Sequence, residues 1–423
     1  MSDHFAALGD AVRSGDAAET RRLLEAVPAL RQRLDEPRRD LPFDSTLLLS
    51  AVSQANRELI DVLLDAGADI NRRSGWWAGG FGVLDSCDRG LATELIARRA
   101  TVGPYQAARL DMIDELRAML ARDRSLAMAR GGDGQTPLHV AASVAIARLL
   151  VENGADVDAL DVDHESTPCQ YLIREHQDVV RYLLSAGARS DILMAAALGD
   201  VSLIEAHLDR DPASIRTRVS ARWFPMRNCH AGGTIYTWTL GGDKTAHAVA
   251  RDFGHDAALM LLNRRSPIDL LFVVACTAGD GAAAHDLLRD NPGLMASLPP
   301  DALAALPTAA RDNAADAVRT MLEVGWPVNS IGPERATALH WAAFHGNLEI
   351  TREVLRAKPD VNLKEPTHNG TALGWAIFGS RHGWYCRTGD YAGVVSALLE
   401  AGAVAPEISS VDATDAVLAA LRR

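Results

Sequence analysis

Apolar residues recur at helical spacing in short paired segments along this chain. Residues 335–362 show the pattern most clearly, and its apolar positions are Leu339, Ala342, Ala343, Leu348, Ile350, Val354 and Leu355. The i, i+3 and i+4 spacing predicts two amphipathic helices. His345-Gly346-Asn347 separates them, because glycine tolerates a positive φ and asparagine favours turns. A helical hairpin of this size cannot bury its own apolar face, so it requires a copy on either side.

Related segments repeat this order of residues. They begin at Thr46, Thr136, Thr167, Thr245 and Thr371. The segment at 136–142 reads TPLHVAA, and Gly-Ala-Asp followed by an aliphatic residue occurs at 67–70 and 154–157. These phrases resemble the ankyrin repeat, in which TPLHxAA, a turn, a Leu-Leu pair and GAD(V/I)N recur about every 33 residues. The resemblance implies an all-α solenoid of about twelve helix–turn–helix repeats over nearly the whole chain.

Interruptions of the repeat pattern divide the chain into segments. We predict a capping repeat at 1–44, ankyrin repeats at 45–220, an aromatic insertion at 221–243, further ankyrin repeats at 244–406 with a second insertion at 380–391, and a capping helix at 407–423. Within the first insertion, Thr234 to Leu240 alternates β-branched and aromatic residues between glycine pairs, which predicts a hairpin-like element. Residues 75–82 replace the usual short turn, and the repeat at 134–161 is shortened.

Composition and charge narrow the classes of partner. The formal net charge of −12 argues against a nucleic-acid or acidic-membrane partner, which would require a basic face. The five cysteines are scattered without a CxxC pair, which favours free thiols in a reducing cytoplasm. The N-terminal residues lack the pattern of a signal peptide, and the longest apolar run, Leu270 to Ala278, is too short to span a bilayer. We therefore expect a cytoplasmic protein without membrane insertion.

Aromatic residues concentrate in the irregular segments and mark the candidate binding surface. Trp and Arg are enriched among interface hot spots, and insertions in solenoids tend to lie on the binding face. The candidates are Trp76, Trp77 and Phe81 in residues 75–82; Trp223, Phe224, Arg227, Tyr236 and Trp238 in the first insertion; Trp384 and Tyr385 in the second; and Phe253, Trp341, Phe344 and Phe378 on the repeats. The family resemblance places Phe253, Phe344 and Phe378 in a concave groove. Trp341 and Trp375, flanked by alanine, fit the core better than a surface.

Several histidines invite a catalytic interpretation. The resemblance implies a structural role for His139 and His340, which lie in the TPLH phrase and would join neighbouring loops by hydrogen bonds. His247 replaces the buried leucine of that phrase, so its imidazole requires a polar partner. Cys229-His230 lacks a second Cys/His pair at zinc-ligand spacing, and we predict no metal and no cofactor.

Binding is the function that this pattern favours. The expected partner is a protein, a peptide or a small apolar ligand, held in the groove and by the aromatic insertions, and the acidic balance favours a neutral or basic one. The alternative is an enzyme in which the two insertions close an aromatic-lined pocket. Its candidate acid–base residues are His230, His247, His345, His382 and Asp390. A third possibility is that the insertions only brace irregular repeats.

Overall fold

The computed structural model describes residues 2–407 and 411–422, and every regular element in these residues is helical. The only β-type pairs described are isolated bridges between Arg218 and Thr245 and between Lys364 and Thr371. The predicted all-α class is therefore confirmed. None of the described helices has the length and apolarity needed to cross a membrane. The chain forms two compact units, Met1–Ala258 and Leu259–Arg423, here called unit 1 and unit 2.

Unit 1 consists of short helices, most of which pack in successive pairs along the chain. Its helices are α1 (Ser2–Arg13), α2 (Ala17–Ala26), α3 (Leu47–Ser53), α4 (Arg57–Asp65), α5 (Arg89–Ala97), α6 (Pro104–Arg109), α7 (Ile113–Arg122), α8 (Val144–Glu152), α9 (Pro168–Leu172), α10 (Gln177–Ser185), α11 (Ile192–Leu198), α12 (Val201–Arg210) and α13 (Ala246–Asp252). Helix α14 (Asp256–Arg265) contains the boundary between the units. A single 3-10 turn at Pro137–Val140 replaces the first helix of the repeat whose sequence is shortened.

Unit 2 continues the same plan. Its helices are α15 (Ile268–Thr277), α16 (Gly281–Asp290), α17 (Leu294–Ser297), α18 (Ala305–Arg311), α19 (Ala315–Glu323), α20 (Ala338–Phe344), α21 (Leu348–Arg356), α22 (Ala372–His382), α23 (Tyr391–Glu400) and α24 (Asp415–Leu421). Helix α20 packs against α18 on one side and α22 on the other, so the small side chains of its face are fully enclosed. Burial between repeats, at roughly 25 cal/mol per Å² of apolar surface, is what stabilises helices this short.

Hydrogen bonds at the repeat entries join each repeat to the next. The backbone N–H of Thr136 donates to Nδ1 of His139 at 3.0 Å, and Nε2 of His139 faces the carbonyl oxygen of Ser166 at 3.1 Å. His340 makes the equivalent contact with the carbonyl oxygen of Gly370 at 3.2 Å. Because both rings reach the following repeat, the structural role predicted for these histidines is confirmed.

The hairpin predicted within the first insertion is wrong. Thr237–Gly241 forms a π-helical turn. The adjacent side chains of Thr234, Ile235 and Tyr236 are all buried, whereas a strand would direct alternate side chains to opposite faces. Tyr236 is fully buried, and its hydroxyl donates to the carboxylate of Asp191 at 2.8 Å. Burial of consecutive residues against the repeats therefore favours a helical turn, although the alternating β-branched residues predicted a hairpin.

Helix α22 and the second insertion pack closely against the preceding repeat at Gly379 and Gly389. A Cβ atom built on Gly379 would clash with the carbonyl oxygen of Phe344, and one on Gly389 would lie 2.6 Å from that of His345. The backbone N–H of Asp390 donates to the carbonyl oxygen of Gly346 at 2.8 Å, and the hydroxyl of Tyr391 donates to that of Phe344 at 3.0 Å. The loop after α22 therefore follows the neighbouring turn closely and is held in place.

Replacing His139 with glutamine should reduce the acid sensitivity of unit 1. Burial lowers the pKa of His139 to about 4. The pKa of histidine in the unfolded chain is about 6.5. The contribution of the neutral imidazole to folding stability is therefore complete above that pH and is lost as the pH falls toward 4. Between pH 7 and pH 5, we expect wild type to lose about 2 kcal/mol more unfolding free energy than His139→Gln. Urea unfolding followed by circular dichroism measures both.

Glutamine is a suitable replacement because the next repeat has Gln170 at the position equivalent to His139. There, Oε1 of Gln170 accepts from the backbone N–H of Thr167 at 2.9 Å. The exposed His230 is the matched control, and His230→Gln should behave like wild type. Equal pH dependence of His139→Gln and wild type would contradict the prediction.

Gly379→Ala should destabilise unit 2, although alanine normally stabilises a helix interior by about 1 kcal/mol relative to glycine. The added methyl group would meet the backbone of Phe344, and the required shift should cost about 1–3 kcal/mol. Gly374→Ala in the same helix is the control. Its added Cβ would lie 3.7 Å from Oγ1 of Thr371, which is an ordinary contact, so this substitution should stabilise the unit. Thermal unfolding compares the two variants, and stabilisation by both would contradict the packing described.

Candidate functional site

Unit 2 carries several exposed or half-buried aromatic side chains on α20, on α22 and on the loop that follows α22. This aromatic surface consists of Phe344, Trp375, Phe378, Trp384 and Tyr385. Trp384 is 65% exposed, Phe378 57% and Tyr385 39%, whereas Phe344 and Trp375 are half-buried. Large apolar side chains in such a group mark interaction sites more often than single exposed residues do.

Trp384 is exposed but not loose. Its ring centroid lies 5.8 Å from that of Trp341, 5.7 Å from that of Phe344 and 5.2 Å from that of His345. Trp341 is buried beneath it, and its Nε1–H donates to the carbonyl oxygen of Pro333 at 3.3 Å. The buried position of Trp341 agrees with the sequence analysis, which favoured the core for this residue. Three rings thus lie close to the Trp384 indole, while most of this residue remains exposed.

The candidate acid–base residues of unit 2 have separate structural partners. Nε2 of His345 contacts the carbonyl oxygen of Arg311 at 2.8 Å, and burial lowers the pKa of this imidazole. The carboxylate of Asp390 accepts from the N–H of Gly393 at 2.8 Å and thereby caps α23. His382 is exposed, with its ring 4.7 Å from that of Phe378. Asp390 thus has a capping role, and one nitrogen of His345 has a structural partner.

In unit 1, two irregular segments far apart in sequence meet. The ring of Trp77, in residues 75–82, lies 6.0 Å from the exposed ring of His230 in the first insertion. Trp76 packs edge-on against Phe43 at 5.3 Å, and Phe81 contacts the same ring at 4.9 Å. The sequence marked both segments as aromatic but did not predict that they would lie together.

Other residues of the first insertion hold it on the repeats. The ring of Phe224 lies 5.3 Å from that of the buried Tyr236. The backbone N–H of Arg227 donates to the carboxylate of Glu165 at 2.9 Å. Trp223 is half-buried, with the guanidinium of Arg222 6.0 Å from its ring centre. Tyr236 has no surface left for a partner, so its contribution is to packing.

Beneath this contact lies a group of polar side chains that sequence reasoning missed. Asp133, Asp163 and His164 come from two successive repeat loops and are all buried. The indole of Trp238, which is 58% exposed, lies over the ring of His164 at 4.9 Å. Burial, together with the nearby carboxylate of Asp163, raises the pKa of Asp133 to about 6. The only sequence signal was the recurrence of Asp within consecutive loops.

A hollow of about 380 Å³ opens beside the shortened repeat of unit 1. Its wall includes Arg109, His139, Tyr171 and Glu175. The hollow borders the 3-10 turn at Pro137–Val140, which takes the place of a full first helix in this repeat. Its lining is mixed in polarity, so it offers less apolar contact than the surface of unit 2.

The remaining candidates lie on α13 and at its end. His247 is fully buried within α13. Phe253 follows α13 directly and is half-buried, with the guanidinium of Arg174 5.3 Å from its ring centre. This pair is a cation–π contact on the repeats themselves.

Comparison with known proteins agrees with the helical repeats. A family model described as ankyrin repeats, in three copies, matches residues 105–210, 271–365 and 306–404, which together exceed half of the chain. The crystal structure of the human ASB11 ankyrin repeat domain is similar at 18% identity and a TM-score of 0.29, covering 73% of this chain and 100% of that one. No curated protein matches the chain. Ankyrin repeats mediate protein–protein binding, and this chain belongs to the ankyrin-repeat family as a protein-interaction scaffold.

Proposed function

We propose that the chain binds a segment of a partner protein on the aromatic surface of unit 2. The observation that carries this proposal is Trp384, which is 65% exposed while its ring rests on Trp341, Phe344 and His345. Tryptophan dominates binding energetics where it can be covered, because it combines a large apolar area with few rotatable bonds. Binding would remove the exposed apolar area of this ring from water, and this burial favours association.

The support under the surface reduces the entropy lost on binding. Asp390 and Tyr391 hold the loop through hydrogen bonds to the carbonyl oxygens of Gly346 and Phe344. An interface residue that is already ordered loses less rotamer and loop freedom, which otherwise costs about 0.5–1.5 kcal/mol for each flexible side chain. Trp384 is therefore prepared for contact before a partner arrives.

The chemistry of the surface favours an apolar segment with a flanking cation. Indole faces attract the guanidinium of arginine and the ammonium of lysine. The chain as a whole carries a formal charge of −12, which favours a neutral or basic partner. Arg381, beside the surface, is paired with Asp412 at 3.0 Å, so it does not present an unbalanced positive charge. A protein segment fits this description better than the small apolar ligand considered from the sequence.

We place the protein in the cytoplasm as part of the same proposal. The cysteines at 87, 169, 229, 276 and 386 are all free. Free thiols persist in a reducing compartment.

Trp384→Ala should weaken recognition strongly without unfolding the protein. Peptides selected on the full-length chain from a random display library should be enriched in an apolar residue next to Arg or Lys. Their affinity, measured by fluorescence anisotropy, should fall at least about thirtyfold for Trp384→Ala, since hot-spot residues contribute about 2 kcal/mol or more. The thermal midpoint should change little because most of this side chain is exposed.

Trp238→Ala is the matched control, because Trp238 is an exposed tryptophan in unit 1. Its peptide affinity should equal that of wild type. Selected peptides that bind Trp384→Ala as tightly as wild type would overturn the proposal. So would a surface that selects no peptide but binds an apolar dye in a Trp384-dependent manner, which would identify a small-ligand site instead.

A further inference from the structure

Asp133, Asp163 and His164 form a compact set of potential metal ligands in unit 1. One oxygen of each carboxylate and one ring nitrogen of the histidine all lie within 4.8 Å of one another. Asp133 belongs to one repeat loop, whereas Asp163 and His164 belong to the next. Ligand atoms around a transition-metal ion at about 2.1 Å are separated by about 3–4 Å, so this set must contract by about 1 Å to hold one.

The hydrogen bond of His164 to Gly233 decides which ring nitrogen faces the other two side chains. Its Nδ1 lies 2.7 Å from the carbonyl oxygen of Gly233, and a carbonyl can only accept, so Nδ1 carries the hydrogen. In the neutral imidazole, Nε2 then presents a lone pair. That lone pair faces the carboxylate of Asp163 at 3.5 Å. Two electron-rich groups that face each other in a buried place require a cation or an added proton between them.

Each of the three side chains is held by an outer hydrogen bond. Nε1–H of Trp76 donates to Oδ1 of Asp133 at 2.9 Å. The backbone N–H of Gly232 approaches Oδ1 of Asp163 at 3.3 Å, and Gly233 accepts from His164. Outer partners of this kind fix the orientation of ligands in metal sites. All of them come from residues 75–82 and from the first insertion.

The neighbouring Asp161 supports the set without belonging to it. Its carboxylate accepts from the backbone N–H groups of His164 at 2.8 Å and Ser166 at 2.7 Å, and from the hydroxyl of Tyr171 at 3.0 Å. These bonds use both of its oxygens to shape the loop that presents Asp163 and His164. Asp161 therefore fixes the conformation of this loop, while the ligand atoms of Asp133, Asp163 and His164 lie close together.

We propose that Asp133, Asp163 and His164 bind a divalent transition-metal cation. Two carboxylates and one imidazole suit Zn²⁺ or Mn²⁺, because the imidazole selects against Ca²⁺ and Mg²⁺. Three protein ligands leave at least one coordination position for water or a partner group. Since the outer hydrogen bonds come from both irregular segments, the ion joins residues 75–82 and the first insertion to the repeats beneath them.

The test uses the full-length chain after treatment with a chelator. Calorimetric titration with ZnCl2, repeated with MnCl2, should give one site for each chain with at least one of the two ions. His164→Gln and Asp133→Asn should weaken that site at least tenfold. Trp76→Phe removes the outer N–H while keeping an aromatic ring and all three ligands, and it should weaken the site by about tenfold. CaCl2 should bind at least tenfold more weakly than the better of the two ions.

Controls separate this site from scattered surface binding. His382→Gln, a change in the other unit, should bind like wild type. Circular dichroism and the thermal midpoint without metal show whether each variant folds. If Asp133→Asn does not fold, Trp76→Phe still tests the site, because it retains all three ligands. The proposal is overturned if wild type binds less than a fifth of an equivalent of either ion. It is also overturned if folded His164→Gln or Trp76→Phe binds as tightly as wild type, or if Ca²⁺ binds best.

Discussion

Burial of each helix pair against the next repeat is the interaction on which everything else in this structure depends. Helix α20 has only seven residues, and a helix of that length is unstable alone in water. Its alanines at 338, 342 and 343 are fully buried because α18 and α22 cover them. The small side chains allow the neighbouring helices to approach closely, so the stack gains stability from contact rather than from helix propensity.

The irregular segments are tolerated because they extend this burial rather than avoid it. The first insertion buries Tyr236 completely and satisfies its hydroxyl with Asp191. Helix α22 places Gly379, and the loop after it places Gly389, against the backbone of the preceding repeat. Both segments thus use the repeats as a support and direct a tryptophan outward, Trp238 in unit 1 and Trp384 in unit 2. An ordered platform beneath an exposed ring is an arrangement suited to recognition.

The repeat architecture and the structural histidines could be predicted because their signals are local. The TPLH phrase and the spacing of apolar residues are visible within about 33 residues, and neighbouring copies supply the only contacts needed. The aromatic residues near Trp384 were also found from composition. The π-helical turn could not be predicted from the sequence, because the burial of both Ile235 and Tyr236 depends on the surface against which they pack.

The polar group in unit 1 shows a different limit of the sequence. Asp133 and Asp163 are separated by about one repeat, and aspartate is common in the loops of such proteins, so neither residue was distinctive. Trp76, which orients Asp133, lies 57 positions earlier in the chain. Only the stacking of successive loops brings these residues together, and no short motif encodes such a distance.

Hydrogen exchange measured by mass spectrometry on the full-length chain tests most directly whether the insertions are integral parts of the stack. The backbone N–H groups of Gly232 and Asp390 donate to the carbonyl oxygens of Asp163 and Gly346. We expect peptides covering 228–241 and 383–391 to exchange at least about 100-fold more slowly than an unstructured chain. Exchange of both segments at unstructured rates, while the peptide covering α20 stays protected, would contradict this account.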